Sequence, residues 1–189
     1  MRFIGIDYSM TSPAFTVLYP DGRFITHFFA SNKKQEGLLD SNLVGHPYNY
    51  SGNSSDFARY HFLAEWFMEH CAPTPLDKIA IEGYSMGSVG AVFNIAENTA
   101  VLKYRLFEKG IKWIEVPPTT VKKSATGKGN ADKLMMYDVF VEKTSIDPRK
   151  MLDSKAKLGS PFTDIADSYH IADYVKKQIS TQTLTACTA

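Results

Sequence analysis

Four carboxylates in this sequence stand where chemistry can be done, and each comes from a different local pattern. Asp7 closes the apolar run Phe3-Ile4-Gly5-Ile6. An acid at the end of a buried strand is either a turn former or a ligand. Glu82 follows Ile79-Ala80-Ile81 and precedes Gly83, at the carboxyl end of a strand whose apolar run marks it as central. Ionised carboxylates are seldom buried without partners, and in α/β sheets that end of the strands is where ligands bind. Asp164 and Asp167 lie three residues apart in Phe162-Thr163-Asp164-Ile165-Ala166-Asp167-Ser168. That spacing puts both on one helical face, about 5–6 Å apart at Cβ. The helix dipole favours an acid in a first turn, but a second acid on the same face repels the first unless a cation lies between them.

Side by side, the four make an oxygen-only set with no cysteine and no matched histidine pair. Hard oxygen ligands favour Mg²⁺ or Mn²⁺ over zinc. Two such ions about 3.5–4 Å apart activate a water and stabilise the leaving oxygen of a phosphodiester. Crowded carboxylates need such cations, so the residues point to phosphodiester cleavage with two Mg²⁺, for which Mn²⁺ substitutes. Lys122, Lys123, Lys128 and Lys133 surround Gly127 and Gly129 after a further strand. They suit phosphate binding, with backbone N–H groups at the following helix start assisting; the alternative is a solvated loop. His170 sits three residues after Asp167, either a supporting donor or a packed side chain. Ser9, beside Asp7, is either a substrate contact or a turn residue.

These residues need a scaffold, and the chain is long enough for one. Its 189 residues fit a single domain, expected to span 1–179 with a flexible tail over 180–189. Apolar residues at 44% and charged residues at 22% exclude a disordered chain. The net charge of +1 excludes a bulk polycation and an acidic tail protein. It conceals an asymmetry: residues 103–157 carry 13 basic and 7 acidic side chains, and the rest 8 and 13. That division suits one surface for a polyanion and a separate nest of carboxylates. Two cysteines, Cys71 and Cys187, form no disulfide framework or four-ligand zinc site. No segment approaches the roughly 20 apolar residues of a membrane span, and the N-terminus enters a strand pattern directly. The expectation is a cytoplasmic protein with no membrane partner.

The elements alternate. Phe3–Ile6, Ala14–Leu18 and Arg23–Phe29 read as an antiparallel meander, with a turn at Pro20-Asp21-Gly22. Residues 31–55, rich in Ser, Asn and Gly, read as a long loop. Tyr48 and Tyr50 within it are either a base-stacking patch or inert. A helix from Ser55 or Asp56 to His70, a strand at 78–82, a helix over 89–109 closed by Gly110 and a strand at 111–116 follow. A basic loop over 122–130 leads to helices at 131–143 and 163–179. The apolar stripe Val89, Val92, Phe93, Ala96, Ala100 and Tyr104, with Leu102 and Leu106, is either wholly internal or partly a two-fold interface. The order predicts an α/β layer with helices on both faces of a mixed sheet.

At this point the ordered set resembles the RuvC-type Holliday junction resolvases, within the RNase H-like fold. Ile4-Gly5-Ile6-Asp7 resembles the first motif, Ile79-Ala80-Ile81-Glu82 the second, and Asp164-Ile165-Ala166-Asp167 the final acidic pair. Lys122 and Lys133, eleven residues apart with Gly127-Lys128-Gly129 between them, match the basic segment. The resemblance implies a five-stranded sheet, three antiparallel strands then two parallel. It implies a homodimer that nicks four-way DNA junctions symmetrically with Mg²⁺. Asp7, Glu82, Asp164 and Asp167 would be the metal ligands, with Lys122 and Lys133 at the scissile strand. Lys133 would join the four acids in catalysis. There are departures: Tyr8-Ser9 replaces Pro-Gly, and Ser85 replaces a junction-wedging Phe, with Tyr84 the nearest aromatic. Together with the long 31–55 segment they resemble phage-encoded relatives, which act in a bacterial cytoplasm on varied branched DNA.

Two other readings compete. An RNase H-like nuclease on RNA–DNA hybrids or flaps would use the same acids. A non-catalytic branched-DNA-binding module would gain nothing from them.

Overall fold

The computed structural model describes residues 1–50, 55–84, 92–153 and 155–187. Its strands are β1 (Phe3–Asp7), β2 (Ala14–Leu18), β3 (Phe24–Phe29), β4 (Gly37–Leu38), β5 (Leu43–His46), β6 (Lys78–Glu82) and β7 (Trp113–Val116). Its α-helices are α1 (Asp56–Cys71), α2 (Val92–Glu108), α3 (Pro118–Thr126), α4 (Lys133–Thr144), α5 (Pro148–Asp153) and α6 (Phe162–Cys187). Ser85 and Val89 lie outside the described residues.

The meander forms as the sequence predicts: β1 pairs antiparallel with β2, and β2 with β3. Its second turn closes on Gly22, whose N–H reaches the Tyr19 carbonyl at a φ of 95° that favours glycine. β6 then lies parallel to β1, and β7 parallel to β6. Among the described residues the sheet has seven strands in the order β4-β5-β3-β2-β1-β6-β7, not five. The two extra strands come from the segment read as loop. Leu43 is fully buried there, and β5 pairs parallel with the edge that β3 would otherwise leave open. Asp40 closes the preceding turn by accepting from the Asn42 and Leu43 amides. Gly45 is needed, because a Cβ at that position would collide with the Gln35 carbonyl lying over the strand.

Helices cover both faces. α1 and α2 pack on one through Leu63, Phe67, Leu102 and Leu106 against Ile4, Ile6 and Phe15. On the other, α4 and α6 bring Phe140, Ile165 and Ala172 against Phe3, Phe28 and Ala80. The basic segment holds a helix rather than a continuous loop. Pro118 is tolerated in the first turn of α3, where its missing N–H costs nothing, so Lys122 and Lys123 are helical. α6 continues beyond Ile179 to Cys187.

Two features aim the chain at one point. Ile6 pairs with Ile81, so Asp7 and Glu82 leave the same end of adjacent parallel strands. Gly5 lets α6 cross β1 in direct backbone contact, because a Cβ there would collide with the backbones of Ser168 and Ala172. A buried hydroxyl chain fixes the crossing: Thr16 Oγ1 lies 2.9 Å from Ser168 Oγ and 2.7 Å from Thr26 Oγ1.

Candidate active site

Asp7 from β1, Glu82 from β6, and Asp164 and Asp167 from the first turns of α6 line a single cleft of about 440 Å³. Lys122 of α3 and Lys133 at the first position of α4 complete it, with Ser9, Thr11 and Ser160 among its rim residues. Asp132 caps α4 by accepting from the Met135 amide at 2.8 Å, which fixes where Lys133 begins its helix. Lys123 and Lys128 are exposed outside the cleft lining, on the same basic segment. Tyr84 lines an adjoining cavity with Asp7 and Glu82, and its ring is covered by the Lys103 ammonium 5.2 Å from the centroid.

The charges are unbalanced: four carboxylates face two lysines. Burial raises the Asp7 carboxyl well above its ordinary range, and the charges of Glu82, Asp164 and Asp167 add to the shift. Glu82 is pushed up to about 7, first by burial and then by Asp167 and Asp164, with Lys122 and Lys133 opposing. Asp167 rises to about 6 by burial and by Asp164. A site that holds its acids against this repulsion is built for added positive charge. An all-oxygen donor set at the ends of two strands and one helix fits hard divalent cations, and the residues present therefore fit Mg²⁺ or Mn²⁺.

No protein-family model matches the chain, and no curated protein matches it by sequence. Solved structures do. Thermus thermophilus RuvC superposes with a TM-score of 0.59 at 15% identity, covering 97% of this chain and 96% of that one. The yeast mitochondrial Holliday junction resolvase Ydc2 gives 0.56 at 16%, over 92% and 77%. Fowlpox virus resolvase, solved with its substrate Holliday junction DNA, gives 0.53 at 15%, over 92% and 98%. The fold is that of the RuvC-type resolvases.

Within the RuvC-type fold, some side chains play parts that the sequence left open. His170 is buried in packing, its Nε2 2.9 Å from the Met136 carbonyl. Ser9 serves the turn after β1, accepting from the Ser12 amide at 3.0 Å, and also lines the cleft. Tyr48 packs against Phe29 and Phe62 and accepts from Arg59 Nε at 2.8 Å. Ser12 was missed by the sequence reading. Its hydroxyl donates to Asp164 Oδ2 at 2.6 Å and so orients that carboxylate. The hydroxyl-rich run Ser9-Met10-Thr11-Ser12 directly after Asp7 was the available signal.

Proposed function

We propose that this chain is a metal-dependent, structure-selective endonuclease that resolves Holliday junctions and other branched DNA, acting as a homodimer. The observation that carries the reading is the convergence of Asp7, Glu82, Asp164 and Asp167 with Lys122 and Lys133 in one cleft of a RuvC-type fold. Asp7, Glu82, Asp164 and Asp167 would hold two Mg²⁺, or Mn²⁺ in their place. Bound there, the metal supplies Lewis-acid activation of water and charge stabilisation for phosphodiester hydrolysis.

The chain's own residues do the rest. Ser12 holds Asp164 in one orientation through its 2.6 Å hydrogen bond. Lys133 brings positive charge to the edge of the carboxylates, where charge develops on a transferring phosphoryl group, and acts with the four acids in catalysis. Lys122 faces the same space and holds the scissile strand, while Lys123 and Lys128 extend the basic surface along the backbone. Tyr84, beside the acids, contacts the branch point with Ser85.

The dimer uses α2. Its exposed residues Phe93, Glu97, Ala100, Tyr104 and Phe107 recur at alternating intervals of four and three, a single seam along the helix. Phe93 and Phe107 are 80% and 71% exposed, which leaves large apolar area for a second copy to cover. The extended sheet and the Ser85 departure suit a phage-like variant working in a bacterial cytoplasm.

The test is cleavage of a labelled four-way junction beside flap, Y-form, RNA–DNA hybrid and linear duplex controls, in Mg²⁺, Mn²⁺ and EDTA. Paired symmetric nicks at the junction are expected in both metals and none in EDTA. Cutting confined to hybrids would transfer the reading to an RNase H-like activity. Junction binding without metal-dependent cutting of any substrate would leave only a binding module.

A further inference from the structure

On the opposite face of the sheet from α6, three histidines converge. His27 lies on β3, His46 ends β5, and His70 is in the last turn of α1. His27 Nδ1 is 2.9 Å from His46 Nε2, and one ligand nitrogen from each of the three rings lies within 4.8 Å of the others. We propose that His27, His46 and His70 form a zinc site that ties the β4–β5 extension to α1.

The three rings are held from outside. Phe15 stacks on His27 with centroids 4.7 Å apart, and Trp66 meets the His46 ring edge-on at 5.5 Å. His70 is exposed and borders, with His46, an open cleft of about 450 Å³, so an ion has a path in. An unperturbed imidazole is largely neutral at pH 7, the form that ligates a metal.

At 2.9 Å the two facing nitrogens make an N–H···N hydrogen bond. When the donor ring takes its other tautomer, its proton moves to the far ring nitrogen, and two lone pairs then face the space where an ion would sit. With Zn–N bonds of about 2.0–2.1 Å, two ligands of a tetrahedral ion sit about 3.3 Å apart, so the pair opens by less than half an ångström. His70 supplies the third nitrogen, and a water from the open cleft the fourth ligand. Three imidazoles without a carboxylate select borderline ions such as zinc and not Mg²⁺. The two sites would thus sort their metals by donor chemistry. β5 and β3 are already joined by hydrogen bonds; what the ion adds is a further link between that edge and α1, beside the ring packing and the Arg59–Tyr48 hydrogen bond.

The experiment uses the full chain stripped with chelator, titrated with ZnCl₂ and followed by thermal unfolding, with Co²⁺ as a spectroscopic substitute. One equivalent should bind, raise Tm by about 5–10 °C in hundredfold excess over Kd, and give the intense visible bands of tetrahedral nitrogen-ligated Co²⁺. His70→Ala, at an exposed position, should fold normally, weaken binding at least tenfold and lose those bands. His61→Ala, on the same cleft rim, should leave binding unchanged. The double variant Asp7→Asn/Glu82→Gln, which disarms the acidic cleft, should retain the zinc response. A chain that shows no Tm rise would overturn the proposal. So would a response that survives His70→Ala, or one that is lost in the acid double variant, because the ion would then sit elsewhere.

Discussion

At the residue scale, the four carboxylates of the proposed nuclease site would serve function at a cost to stability. Glu82 is held at a pKa of about 7 because burial, Asp167 and Asp164 all disfavour its charged form. Its neutral isostere removes that cost and the charge that a metal needs. Glu82→Gln and Asp7→Asn should therefore abolish junction cleavage while leaving junction binding intact or tighter, since repulsion from phosphate falls. In EDTA at pH 8 the Glu82→Gln protein should unfold at a higher temperature than wild type, by about 1–3 kcal/mol of stability. A gel-shift titration beside a cleavage assay and a melting curve separates the three effects. Loss of binding in a folded Asp7→Asn protein would contradict this division. Lys133 is exposed, so Lys133→Ala should lower the cleavage rate about 10²-fold or more with a change in stability within about 0.5 kcal/mol. Asp7 and Glu82 stand out at the ends of patterned strands, and Asp164, Asp167 and Lys133 near helix starts; Lys122 stands out only within its basic segment, since it lies inside a helix that the sequence reads as loop. Ser12 does not stand out, since a hydroxyl that orients a carboxylate 152 positions away leaves no periodic trace.

At the element scale, legibility followed the strength of local patterning. β1, β2, β3 and β6 are short apolar runs bounded by turn residues, and their predicted and observed limits agree closely. β4 and β5 failed to show because two and four residues carry too little pattern; they exist because β3 offers an unpaired edge. α3 was concealed by its polar sequence and by the Pro117-Pro118 pair at its start, though Pro118 at a first turn is a start signal in itself. The close crossing of α6 over β1 is likewise written in a single residue. Gly5→Ala should destabilise the chain by about 3 kcal/mol or prevent folding, because the Cβ meets the α6 backbone and not a side chain that can turn away. Gly159→Ala, with open space around it, should stay within about 0.5 kcal/mol in the same denaturant series. A second restraint sits where β1 and β6 begin. Arg2 Nε and Nη2 donate to the two Asp77 oxygens at 3.2 and 2.6 Å, and its guanidinium also donates to the Cys71 and Ala72 carbonyls at the end of α1. Burial opposes this carboxylate's charge, yet Arg2 and the Thr74 N–H hold Asp77 down at about 2. Its folded pKa lies below the unfolded value of 3.8, so the stabilisation is complete above pH 4 and is lost as pH falls through 2. Asp77→Asn should cost about 2–4 kcal/mol at pH 7, and urea unfolding should show that gap closing between pH 4 and pH 2.

At the scale of the whole molecule, the proposed nuclease would make one incision per acidic cleft, and symmetric resolution of a four-way junction would require two clefts held at a fixed separation. In the proposed homodimer the α2 seam would supply the means. Leu102 and Leu106 turn inward to the core, while Phe93, Tyr104 and Phe107 remain exposed along one line, with Ala100 small enough for close helix approach. A two-fold axis across this seam would bury the same residues from both copies, as an isologous interface demands. Lys103 and Arg105 flank it and are already committed, to Glu115 at 2.8 Å and to Glu65 at 2.6 Å, so they do not repel a partner as free charges. The double substitution Tyr104→Asp/Phe107→Asp places charge on the seam without touching the core or the acids. Sedimentation should show a dimer for the wild type and a monomer for the variant, with an unchanged circular dichroism spectrum. On a junction held in a supercoiled plasmid, wild type should release linear product by two incisions within one binding event. The monomer should accumulate singly nicked circles, because its second incision waits for a second encounter. A variant that stays dimeric would move the interface off α2. A monomer that still linearises the plasmid in one event would show that paired cutting does not depend on paired subunits.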